Sequence, residues 1–159
     1  MSRERQELLS RAALGVFGLN GRFLAVAEEL AGPAGLTAAR WQVLGAVLGA
    51  PLTVSGIARV MGMTRQGVQR IADLLVERGL AEYRPNPAHR RAKLLAPTAR
   101  GRAAVDRIGP GHAAFADRLA EAFGDTDLAE AVAVLERLSK VLDDTSAGAG
   151  RTAAAVTEP

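Results

Sequence analysis

From Leu9 onward apolar residues recur at helical spacing through Ala13, Val16, Phe23, Ala27 and Leu30, which predicts a long first helix. Gly15, Gly18 and Gly21 oppose it, since each costs about 1 kcal/mol relative to alanine inside a helix, and Asn20-Gly21 marks a point where the chain can break. The run Ala31-Gly32-Pro33-Ala34-Gly35 ends this element. Thr37 is then placed to cap a helix carrying Trp41, Leu44 and Leu48, which stops before Pro51. Thr53 is placed to cap a short helix from Val54 to Met61, closed by Gly62. Thr64 begins another. Along it Val68, Ile71, Ala72 and Leu75 form an apolar stripe, with Arg65, Gln66, Gln69, Arg70 and Asp73 on the opposite face.

Gly79 ends that helix, after which Leu80 to Arg84 and Ala92 to Ala96 have the pattern of two strands. Between them lies Pro85-Asn86-Pro87-Ala88-His89-Arg90-Arg91, whose prolines exclude a ladder and predict a projecting basic hairpin tip. Thr98 restarts helix, with Val105, Ile108, Phe115, Leu119 and Phe123 as its apolar positions, and Gly109-Pro110-Gly111 is expected to kink it. Leu128, Ala131, Leu135, Leu138 and Leu142 then alternate in steps of three and four, a seam that calls for a partner helix. Thr145 to Pro159, small and polar, is expected to be a disordered tail.

Two short helices joined by Gly62-Met63 and followed by two strands around a basic tip are the parts of a winged helix-turn-helix. The fold class is therefore mainly α with a small β-hairpin wing. Charge points the same way. The segment Leu52 to Arg102 holds ten basic residues against three acidic ones, a balance of +7, so with +3 overall the rest of the chain carries −4. Such asymmetry fits one face that meets phosphates. Thr64, Arg65, Gln66, Gln69 and Arg70 occupy the first turns of the helix that would enter a major groove, where arginine can pair with guanine and glutamine with adenine. At the wing, Arg90 or Arg91 can enter a narrow minor groove, with His89 beside them and Arg84 and Lys93 flanking phosphates.

Other chemistry finds little purchase. With no cysteine, the 159 residues offer no disulfide, thiolate ligand or thiol nucleophile and suit a reducing cytoplasm. The polar start Met1-Ser2-Arg3-Glu4-Arg5 gives no sign of a secretion signal, and no segment has the apolar length of a membrane span. His89 and His112 stand alone, and no phosphate-binding loop or nucleophile elbow occurs, so neither an enzyme nor a cofactor is expected. Asp125, Asp127 and Glu136 mimic the ends of a calcium loop, but Ala129 and Glu130 interrupt it, and Asp125 is read as a helix cap. His112 with Asp117 or Glu121 makes a poor metal site, so no metal is expected.

The stretches Leu36-Thr37, Trp41-Gln42-Val43-Leu44, Leu52-Thr53-Val54-Ser55-Gly56-Ile57-Ala58, Met63 to Arg70, Glu77-Arg78-Gly79-Leu80, Asn86-Pro87 and Arg90-Arg91-Ala92-Lys93 closely resemble the MarR transcriptional regulators. The resemblance runs roughly from Leu8 to Leu142. It implies a homodimer that sets two winged lobes on successive major grooves of a pseudo-palindromic double-stranded DNA operator, acting as a repressor. On that basis residues 35–97 are the DNA-binding lobe, and residues 1–34 and 98–144 a helical dimerisation region. The resemblance also implies a small, often aromatic effector, for which Phe17, Phe23, Arg40, Trp41 and His112 are the candidate lining; simple core and interface packing is the favoured reading of these side chains. Three departures from the family pattern stand out: Ala88 where an acidic residue often accompanies the tip arginines, Pro97 where leucine is usual, and Gly109-Pro110-Gly111 within a helix that is usually continuous. A winged-helix protein-interaction module, and a DNA-binding regulator that senses no ligand, are the alternatives.

Overall fold

The computed structural model describes residues 2–154. They form two compact units that divide between His112 and Ala113. In the first, α1 (Ser2–Ala31) runs unbroken through Asn20-Gly21. A single 3-10 turn at Gly32–Ala34 leads into α2 (Ala38–Val47), whose cap Thr37 accepts a hydrogen bond from the Arg40 amide. The Ala38 amide donates to Glu28 Oε2 at 2.9 Å, so a carboxylate from α1 completes the cap and faces the positive end of α2.

Helices α3 (Val54–Met61) and α4 (Arg65–Glu77) follow with the expected caps, Thr53 and Thr64, and Gly62 holds the intervening turn at φ 62°. The strands are β1 (Leu52–Thr53), β2 (Ala81–Arg84) and β3 (Leu94–Pro97), antiparallel in the order β1-β3-β2. Strand β1 escapes the sequence pattern because two residues have no period; it pairs Leu52 with Leu95 and Thr53 with Leu94. Strand β2 aligns Ala81 with Pro97 and Tyr83 with Leu95. Val43, Leu44, Val47, Ile57, Val68, Ala72, Leu75 and Leu95 are wholly buried and make one core from α2, α3, α4 and the sheet. The α4 stripe is thus spent on anchoring.

Helix α5 (Ala99–Phe123) begins at Thr98, whose hydroxyl accepts from the Gly101 amide at 3.1 Å and donates to the Gly79 carbonyl at 2.7 Å. Gly101 permits this approach, because a Cβ there would overlap the Leu80 carbonyl oxygen. The helix continues through Gly109-Pro110-Gly111 without a split. Proline removes only one backbone donor, and the turns on either side can hold the helix across that gap.

In the second unit, α6 (Asp125–Ala154) starts after Gly124, and Asp125 lies in its first turn while the Leu128 amide bonds to the Gly124 carbonyl. The cap position therefore belongs to Gly124, and Asp125 acts on the helix dipole instead. The expected tail from Thr145 is helical as far as Ala154; its alanines, at 147, 149, 153 and 154, favour continuation, and residues 155–159 lie outside the described residues. Leu9, Leu14, Phe17 and Phe23 on α1, and Leu135, Leu138 and Leu142 on α6, are exposed in the single chain. No described helix is long and apolar enough to cross a membrane.

Candidate nucleic-acid interface

The turn between α3 and α4 rests on local chemistry. Thr53 and Thr64 each lie three residues before a glycine, and each hydroxyl accepts from that glycine's amide at 3.0 Å. Together with Gly62, this fixes where α4 starts and which face it turns outward. Thr64, Arg65, Gln66 and Arg70 are exposed, and Gln69 is half-buried.

Between β2 and β3 the wing tip folds on Asn86: its Oδ1 accepts from the Ala88 amide at 3.1 Å, and its carbonyl from the His89 amide at 3.2 Å. His89, Arg90, Arg91 and Lys93 are exposed. The two tip arginines part company. Arg91 and Lys93 join Thr53, Val54, Ser55, Arg65, Gln69, Tyr83 and Ala92 around a cleft of about 280 Å³ between α4 and the wing. Arg90 lies on another concavity, of about 550 Å³, with Arg84, Asn86 and Lys93.

Electrostatics separates these side chains further. Among the described residues the ion pairs are Arg3 with Glu7 and Arg84 with Glu82, so Arg65, Arg70, Arg90, Arg91 and Lys93 have no carboxylate partner. Arg84 Nη2 is 2.7 Å and Nε 2.9 Å from Glu82 Oε1, so a carboxylate competes with a phosphate for that arginine. Arg102, also within the basic segment, donates to the Leu48 carbonyl at 3.3 Å. Arg65, Arg70, Arg90, Arg91 and Lys93 thus place five cations without carboxylate partners on α4 and the wing.

Tyr83 and Asp73 were not among the site residues expected from sequence, and the structure brings both to Gln69. Gln69 Nε2 donates to Asp73 Oδ1 and to Tyr83 Oη, each at 2.9 Å, while Tyr83 Oη donates to Asp73 Oδ1 at 2.6 Å. Burial and the neighbouring carboxylate push the Tyr83 phenol up to about 12, so it stays a neutral donor. Lys93 Nζ lies 6.0 Å from the centre of the Tyr83 ring. The Gln69–Asp73 half of this triangle is legible as a four-residue helical step; Tyr83, on a strand, is not.

The five effector candidates are only partly assembled. Trp41 and His112 meet edge to face, with ring centres 5.7 Å apart and planes at 89°. Phe17 and Phe23 are exposed on α1, and Arg40 is half-buried. A concavity of about 390 Å³ lies near them, lined by Asn20, Leu24, Glu28, Ala38, Ala39, Gln42, Met61, Gly62 and Met63, but none of the five lines it.

Comparison with known proteins gives a consistent result. The MarR family model matches residues 34–92, which span the caps, α4 and the wing tip. An uncharacterised protein of Mycobacterium tuberculosis is 44% identical over 114 residues, covering 72% of this chain and 80% of its own. Among solved structures, CouR from Rhodococcus jostii RHA1 bound to p-coumaroyl-CoA is 28% identical with a TM-score of 0.67, covering 82% of this chain and 88% of that one. A mutant MarR from E. coli complexed with operator DNA is 22% identical with a TM-score of 0.69, covering 83% of this chain and 95% of that one, and shows likeness of fold.

Proposed function

Because the chain belongs to the MarR family of transcription regulators, which are not enzymes, we propose that it is a homodimeric repressor that holds a pseudo-palindromic operator through α4 and the wing. The observation that carries this reading is the cleft where Arg65, Arg91 and Lys93 converge without carboxylate partners while Val68, Ala72 and Leu75 stay buried beneath. Cations left unpaired at that density favour a polyanion, and the first turns of α4 are free to approach base edges. Thr64, Arg65, Gln66, Gln69 and Arg70 would face the major groove, with His89, Arg90, Arg91 and Lys93 on the wing. Arg84 contributes less, through its pairing with Glu82.

Dimerisation is supported by the apolar side chains that α1 and α6 each leave in water; a second copy would bury them. Residues 35–97 would then act as the DNA lobe and 1–34 with 98–144 as the pairing region, in the cytoplasm where the DNA lies. A small aromatic effector that relieves repression is the reading suggested by the acyl-CoA ligand of CouR and by the Trp41–His112 pair. It would act by binding the DNA-competent lobe spacing less well than the incompetent one.

The test is binding of the full chain to duplexes selected from a random pool, followed as ionic strength rises. A dimer neutralising about 6 to 10 phosphates loses roughly three to five decades of affinity between about 50 and 200 mM salt. Salt-insensitive binding, or selection of unspaced single half-sites, would refute the proposal.

A further inference from the structure

Resting on the DNA-binding reading above, we infer that Asp73 and Tyr83 are positioning residues that hold the Gln69 amide in one orientation, and that this orientation makes Gln69 selective for adenine in the major groove. The geometry is a closed triangle. Asp73 Oδ1 accepts from both Gln69 Nε2 and Tyr83 Oη, and Tyr83 Oη accepts from Gln69 Nε2 while giving its own hydrogen to Asp73. Each donor has an acceptor in this arrangement. Turning the amide over would set Oε1 against the charged Asp73 oxygen and leave the Tyr83 oxygen without its donor. The charge on Asp73 strengthens the hold.

The same distances say what remains free. The two acceptors lie 2.6 Å apart and each is 2.9 Å from Nε2, so they subtend less than half the spread between the two hydrogens of an amino group. One hydrogen therefore serves both acceptors in a three-centre bond. It is the hydrogen pointing away from Oε1, because the other would draw the carbonyl oxygen toward the carboxylate. Left over is the opposite amide edge, one acceptor beside one donor. That edge complements the N6 amino group and N7 of adenine, whereas guanine offers acceptors at both places and would meet Oε1 with O6. An untethered glutamine can turn its amino group toward guanine; the tethered one cannot. Gln69 sits beside Arg65 on the rim of the cleft between α4 and the wing, where a base edge would pass.

The experiment begins with duplexes selected by the unaltered full chain from a random pool, and with the operator position whose preference disappears in Gln69→Ala. At that position, affinities for adenine, 7-deazaadenine and guanine are measured by fluorescence anisotropy for the unaltered chain, Tyr83→Phe, Asp73→Ala and Asp73→Asn. The unaltered chain should prefer adenine over both others by roughly five- to 150-fold, the range of a bidentate contact. Asp73→Ala and Tyr83→Phe should shrink that preference severalfold, with helical content unchanged by circular dichroism. Asp73→Asn should retain it, since asparagine keeps the acceptor. Both Asp73 variants remove the same charge, so a general gain in DNA affinity cancels between them. The inference is overturned if Gln69→Ala alters no position, if 7-deazaadenine is tolerated by the unaltered chain, or if Asp73→Ala keeps full discrimination. Binding of no duplex at all would instead remove the DNA-binding reading, and the inference with it.

Discussion

Replacing Arg91 by alanine removes a guanidinium that has no carboxylate partner and that lines the cleft beside α4. In a dimer two such groups are lost. At about −0.9 per neutralised phosphate, the slope of log affinity against log salt becomes shallower by about 1.8. Between about 50 and 200 mM salt the variant would thus lose roughly twelvefold less affinity than the unaltered chain, starting from weaker binding. Arg84 carries the same formal charge on the same wing, but Glu82 holds it at 2.7 and 2.9 Å. Removing that pair together, Arg84→Ala with Glu82→Ala, should move the slope by less than about 0.3, because the two charges already cancel toward a phosphate. Exposed pairs contribute at most about 1 kcal/mol to folding, so both variants remain folded. The assay is fluorescence anisotropy on a selected duplex at five salt concentrations, with thermal melts as controls. Equal changes of slope in the two variants would refute the claim that pairing decides which wing arginines neutralise DNA.

Three further outcomes are expected. Gly101→Ala drives a methyl group into the Leu80 carbonyl and should cost about 1–3 kcal/mol, seen as a lowered Tm, while an unchanged Tm would deny the close approach of α5. Thr64→Ala removes the acceptor for the Gly67 amide and should cost about 1 kcal/mol, with faster amide exchange in the first turn of α4 than elsewhere in that helix. Tyr83 is the chain's one tyrosine, so phenolate absorbance at 295 nm reports it alone and should rise near pH 12, falling back toward 10 in Asp73→Ala. Since its folded value is raised, its contribution to stability is full below about pH 10 and is lost as pH rises through about 12.

Much of the winged-helix part was legible in the sequence because its signals act over a few residues. Thr37, Thr53, Thr64 and Thr98 cap helices where the chain itself placed them, and Gly62 and Gly79 take the positive φ that ends α3 and follows α4. A hydroxyl needs only the amide three residues on, and the stripe Val68, Ala72 and Leu75 needs only helical period to find the core. Inside helices the local signals say less. Gly109-Pro110-Gly111 and Asn20-Gly21 weaken a helix locally, yet α5 and α1 run through them without a split.

By itself, then, the sequence determined the starts of α2, α3, α4 and α5, the order of the helices and the hairpin, and the inventory of cations on α4 and the tip. Only the tertiary structure decided which of those cations are free and which polar side chain is held. Glu82 neutralises Arg84, and Tyr83 reaches Gln69 across fourteen positions and Asp73 across ten. Strand β1 likewise exists only because β3 offers it a ladder. The physical reason is that caps and stripes are set within one or two turns of chain, whereas a hydrogen-bonded network between a helix and a strand depends on how the shared core docks them.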